Sequence, residues 1–288
     1  MLYLQVLVNG LVLGGLYSCI AVGFSLVWGV LNIINILHGS LIILGSYIAF
    51  FAYQYLHIDP FLFAPVTGFL LFCLGYAIQL VFINRVMGSP VLITLTLTFG
   101  LNLLLYNLMI LAFKADFRKV VLSPPLGSVS LGGLIVPIDR LISMAFALAL
   151  VGLLYVLLRA SRIGRAIVAV RMDREAAQLM GVNIGRIYAI TFGVGAALAG
   201  AAGSLFSVMF PISPETANAL LGKAFVICVL GGLGSVPGVM IGGLTLGTIE
   251  NYSALFFGPE YSITISFTLL ILLLMLRPTG IMGQRGFQ

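Results

Sequence analysis

The chain has 288 residues, of which 61% are apolar and 8% charged, with 14 Lys and Arg against 8 Asp and Glu, whereas soluble domains carry about 25% charge. So few charges cannot cover a 30.7 kDa globule with a mean hydropathy of +1.19, which excludes a water-soluble enzyme and makes lipid the solvent for most of the exterior. The formal charge of +6 does not indicate nucleic acid, because the basic residues collect in short segments between apolar runs, the pattern of cytoplasmic loops in membrane proteins.

The first basic residue is Arg85, so the amino-terminal apolar run lacks the charged start of a cleavable signal and is expected to remain as a span. Runs of about 20 apolar residues predict segments at 5–28, 33–55, 61–84, 91–113, 139–159, 187–210, 215–232, 237–257 and 260–276. The fold expected is an all-α, polytopic transmembrane bundle in one domain over residues 1–288. The connection "GGLGSVPG", Gly231 to Gly238, is too short for much beyond a hairpin. One segment near 215–257 is therefore open as a half-helix or re-entrant hairpin, and the expected count is eight or nine spans.

Asn32, Asn35 and His38 interrupt the boundary of the first two segments. Broken helices are tolerated in lipid only under a cover of protein or water, so these residues border an inner gate or form a capped turn at the membrane surface. His38 is too isolated for a metal site, and Cys19, Cys73 and Cys228 each lie in an apolar run without a CxxC spacing, as packing or lipid-facing residues do. In the fourth segment Thr94, Thr98, Asn102 and Tyr106 recur every four residues, along one slowly drifting helix face. A polar stripe in lipid turns inward, either to line a path or to bond across a helix interface.

The connection 114–138 contains "SPPLGSVSLGGLIVPID", Ser123 to Asp139, whose Pro and Gly residues exclude a helix. It reads as a surface lid or as a docking surface for an extracytoplasmic partner. The segment 159–186 is the opposite in character, holding eight of the 22 charged residues. Asp173 is placed to cap a helix start and Gly181 to end it, predicting a two-turn helix over 173–181. Its Ala176 and Ala177 leave a low surface for another protein's groove, while Arg171, Arg174 and Glu175 offer charge pairs; an ordinary surface connector is the alternative. Placing this loop in the cytoplasm puts nine of fourteen basic residues inside, including Arg85, Arg277 and Arg285, and the amino terminus outside. Lys114, Arg118, Lys119 and Arg140 are then external exceptions.

Small residues recur at spacings of four, as in Gly234, Gly238 and Gly242, in Gly243 and Gly247, and in Ala189, Gly193, Ala197 and Ala201. Such stripes let helices approach closely in lipid, as static packing or as sliding surfaces. Glu250 is the acid placed well within an expected span. An unpaired charge there is expensive, so it serves function, or it is protonated or paired with Asn251 or another buried group to lock helices. No GxxxxGK followed by Ser or Thr, no nucleophile elbow, no HExxH and no usefully spaced carboxylate pair occurs in the sequence, so the chain carries no ATPase site of its own.

Glu175-Ala176-Ala177 followed by Gly181 resembles the EAA loop of bacterial ABC importer permeases. "NGLVLGGLYSCIAVGFSLVWGVLNIINILHGSLIILG", Asn9 to Gly45, and "AFVICVLGGLGSVPGVMIGGLTLGTIE", Ala224 to Glu250, resemble the branched-chain amino-acid permeases of the LivH type. The chain departs from that pattern at Asn35-Ile36-Leu37-His38-Gly39, where the family often has an aromatic residue. The resemblance implies half of a translocation path in the bacterial inner membrane, working by alternating access. It also implies a second permease of the LivM type, two cytoplasmic ATPase subunits that carry ATP and Mg, and an extracytoplasmic solute-binding protein, with no cofactor on this chain. Branched-chain or related small amino acids are the implied cargo; urea, short amides and aromatic acids are alternatives within the same family. A secondary transporter would want intramembrane charges, to which Glu250 answers, and a scaffold subunit would have its polar faces filled by side chains.

Overall fold

The computed structural model describes all residues except 126, 132, 277–279, 281 and 283–288; Arg277 and Arg285 lie outside the described residues. In chain order the helices are α1 (Leu2–Leu31), α2 (His38–Leu56), α3 (Pro60–Val81), α4 (Val91–Phe113), α5 (Ile138–Ala160), α6 (Arg162–Met172), α7 (Arg174–Leu179), α8 (Ile184–Met209), α9 (Thr216–Gly231), α10 (Val236–Phe257) and α11 (Ser262–Leu276). Each of the nine expected segments is helical, making a polytopic all-α bundle. Among the described residues six helices are individually long and apolar enough to cross a membrane, or seven spans if the bent pair α9 and α10 counts as one. The count falls below eight or nine because α9 has 16 residues, about 24 Å at 1.5 Å per residue, and turns through 119° into α10. A hydrocarbon core is about 30 Å thick. The described part of α11 has 15 residues.

Helices α1 and α8 form the centre and are buried along most of their length, while α3, α4 and α5 keep broad exposed apolar faces. The small residues explain which helices go inside. A Cβ on Gly45 of α2 would meet the Gly200 Cα of α8 at 2.6 Å, and one on Gly14 of α1 would meet the Leu244 Cα of α10 at 2.6 Å. Backbones this close pack only where the side chain is absent, and such packing holds helices together when burial from water no longer drives association.

Helix α1 ends on Asn32 in the left-handed conformation, φ 54°, and residues 33–37 run back without regular structure, with Ile33, Asn35 and Leu37 buried. The Thr98 Oγ1 of α4 donates to the Ile34 carbonyl at 2.9 Å. Protein covers most of this break, and the Thr98 side chain supplies a polar partner to its backbone.

The connection after α4 contains a hairpin, β1 (Ser128–Leu131) paired antiparallel with β2 (Leu134–Pro137), where the sequence had only excluded helix. Gln5 fixes it to α1 by donating to the Ile135 carbonyl and accepting from its amide, both at 2.8 Å. Arg118 pairs with Ile212 beyond α8, and the Tyr252 hydroxyl of α10 donates to the Tyr3 carbonyl at 3.0 Å. These contacts gather the hairpin, the start of α1 and the ends of α8 and α10 at one end of the bundle. The last turn of α1, helix α6 and the α9–α10 break meet at the other.

Candidate functional site

The charged segment folds as two helices, not one. Helix α6 begins under Ser161, whose Oγ accepts from the Gly164 amide at 2.8 Å, and it buries Gly164, Ile167 and Val170 on one face. Helix α7 begins under Asp173, whose Oδ1 accepts from the Ala176 amide at 2.9 Å. Its end is closed by Gly181 at φ +83°, with Val182 N–H donating to Ala177 O at 3.1 Å and Gly181 N–H to Gln178 O at 3.0 Å, the double bond of a glycine-terminated helix.

What this helix displays differs from what the sequence suggested. Ala177 is buried against its own chain, while Glu175, Ala176 and Gln178 are exposed. The prominent side chains are Met172, Leu179 and Met180, which are 80%, 88% and 85% exposed. Arg174 folds over the Tyr188 ring at 5.8 Å, a contact that fastens α7 to α8. Arg171 points inward: its Nη1 donates to the Gly234 carbonyl at 2.6 Å, in the break between α9 and α10. Gly234 holds φ +79°, and its N–H donates to the Ser25 Oγ of α1 at 2.9 Å. Ser25, Gly29, Ile167, Arg171 and Val236 line a cavity of about 30 Å³ at this junction. Burial draws the Arg171 guanidinium below its ordinary pKa, and it remains a cation because arginine titrates far above neutrality. One charged side chain thus joins α6 to the α9–α10 break and, through it, to α1.

The polar candidates inside the bundle separate into two groups. Asn32 is exposed at the end of α1, whereas Asn35 and His38 are buried. The His38 Nε2 lies 3.0 Å from the Ile20 carbonyl, and its ring meets Phe24 edge-on at 5.6 Å. The Thr94, Thr98 and Asn102 face of α4 is buried: Thr98 bonds the Ile34 carbonyl, Asn102 Oδ1 accepts from Ser40 Oγ at 2.6 Å, and Thr94 donates to the Val91 carbonyl of its own helix. Asn102 thus bonds across to α2, and Thr98 to the break between α1 and α2.

Glu250 stands apart. Its Oε1 is 2.5 Å from Lys223 Nζ, and the same ammonium donates to the Tyr17 hydroxyl at 2.6 Å and lies 4.9 Å from the Tyr17 ring centroid. Asn251 is not the partner, since its amide bonds the Gly247 carbonyl of its own helix. The sequence reading missed Lys223 and Tyr17. The available signal was that Lys223 is the basic residue deepest inside an expected span, and hydropathy averaged over a window conceals a single lysine.

Residues 6–274 match the family described as the branched-chain amino acid transport system permease component. The chain is 36% identical to the high-affinity branched-chain amino acid transport system permease protein BraD of Pseudomonas aeruginosa, over 98% of this chain and 96% of that one. It is 35% identical to the LivH permease of Escherichia coli over the same shares. It is also 37% identical to the Escherichia coli LivM permease, over 51% of this chain and 35% of LivM. No solved structure matches the chain significantly. Its helical, multi-pass architecture and these full-length similarities agree, and the chain belongs to the family of branched-chain amino acid transport permeases.

Proposed function

We propose that this chain is one permease subunit of an ATP-driven importer in a bacterial inner membrane, forming half of a path for branched-chain or related small amino acids. The observation that carries the reading is helix α7 with its flanks, short, capped at both ends and tied to the bundle, yet displaying Leu179 with Met172 just before it and Met180 just after. Apolar side chains clustered among basic residues at an aqueous end mark a surface that another protein covers. The occupant is a cytoplasmic ATPase subunit, which supplies the ATP and Mg that this chain has no motif to hold. Similarity to LivM supports a homologous second permease as partner, with a solute-binding protein docking on the opposite face near the 114–138 connection.

Coupling follows from how α7 is attached. Closure of the ATPases displaces α7 and α6, and Arg171 passes the displacement to the α9–α10 break and to Ser25 of α1. A displacement shifts the equilibrium only if contacts differ between two packed states, and the Arg171 contact is one that a small movement breaks. L179E/M180E is the test. The variant inserts into the membrane, fails to co-purify the ATPase and loses uptake. Uptake persisting without any ATPase overturns the reading in favour of a transporter driven by an ion gradient.

A further inference from the structure

Lys223 and Glu250 are opposite charges on two helices that meet at a break. Lys223 lies midway along α9 and Glu250 two-thirds along α10. Desolvated charges held in an apolar bundle are costly even when paired, and well-packed apolar residues of similar size are commonly as stable or more so. A lock between α9 and α10 does not need charges: Gly231, Gly238 and Gly242 already pack the two helices backbone to backbone. The pair is also not sealed. The side chains of Lys223 and Glu250 keep 17% and 11% of their exposure. Further along α1, toward the α9–α10 break, Phe24 and Phe225 meet edge-on at 6.5 Å, and Trp28 lies 6.1 Å from Phe225.

We infer that Lys223 and Glu250, with Tyr17, form the recognition site for the zwitterionic end of the transported amino acid, the lysine taking the substrate carboxylate and the glutamate its ammonium. This rests on the proposed amino-acid cargo and adds the residues that read it. With no substrate present, the two charges satisfy each other and the site stays closed. A zwitterion brings one charge of each sign, so the lysine–glutamate contact opens without leaving a buried charge alone, and the Tyr17 hydroxyl remains beside the ammonium. Urea and short amides carry no charges and cannot replace either partner; the pair excludes them by the same electrostatics that admits an amino acid. Discontinuous helices are a general construction for binding sites in transporters, and α9 and α10 are bent by 119° at their break here.

The decisive measurement is uptake of labelled leucine by the complete importer in proteoliposomes, comparing wild type with K223L/E250L. Removing both charges together leaves none buried alone, so the variant inserts and co-purifies the ATPase; K223M/E250Q, closer in shape, replaces it if it does not. Leucine uptake falls about 30-fold or more, the lower end of what losing a buried charge contact costs. Retention of uptake within about twofold, a change too small for a lost charge contact, shows a structural lock and overturns the inference alone. Wild type that imports urea and no zwitterion overturns the inference together with the amino-acid reading.

Discussion

At Gly45 the missing side chain is the structure. A Cβ there meets the Gly200 backbone at 2.6 Å, and backbone cannot rotate aside as a flexible side chain can. G45A is expected to lose about 1–3 kcal/mol to overpacking, read as a lower unfolding temperature in detergent. Gly152 on α5 has nothing within 4 Å of an added Cβ, so G152A gains about 0.5–1 kcal/mol of helix propensity and unfolds at the same or a higher temperature. The sequence spacing marked small-residue stripes but not the neighbour of each. The same limit hid Lys223: a lone lysine in an apolar run is visible in the sequence, while its closure on Glu250 and Tyr17 joins residues 17, 223 and 250 from three helices.

Among the elements, α7 was the most legible because its signals are local. Asp173 accepts from an amide three residues on, and Gly181 adopts a left-handed turn beside its own helix. D173A should cost about 1 kcal/mol at that cap and weaken ATPase co-purification, whereas D173N keeps an accepting oxygen and restores it. Equal impairment of the two variants would show that the charge of Asp173 matters and the cap does not. Helix α6 was missed because Arg162, Arg165 and Arg171 dominate its composition, leaving Gly164, Ile167 and Val170 as a narrow apolar face. At residues 32–37 the polar residues signalled a break correctly. Its burial under Thr98 and His38 depended on α4 and α1, which sequence spacing does not place.

For the whole molecule the joint at Arg171 is the test of mechanical unity. R171A removes a charged donor from the Gly234 carbonyl, and hydrogen bonds to charged groups contribute about 1.5–3 kcal/mol. Uptake is expected to fall about tenfold or more while the ATPase still co-purifies, because the exposed residues of α7 remain. Loss of co-purification instead would place Arg171 at the ATPase surface and remove it from the linkage. R171K keeps the charge without the fork of donors and should recover uptake only in part.

By itself the sequence determined that this is a membrane-embedded helical bundle, where its helical segments run, which loop is charged and where a capped two-turn helix falls. Composition, periodicity and capping act through neighbours along the chain or through the solvent, so they can be read in one dimension. Only the tertiary structure decided that α9 is short and bends sharply into α10, that Arg171 turns inward, and that Lys223 meets Glu250. Those outcomes depend on which backbones approach at the glycines and on which buried charges find opposite partners, and both are settled by contacts between segments far apart in the chain.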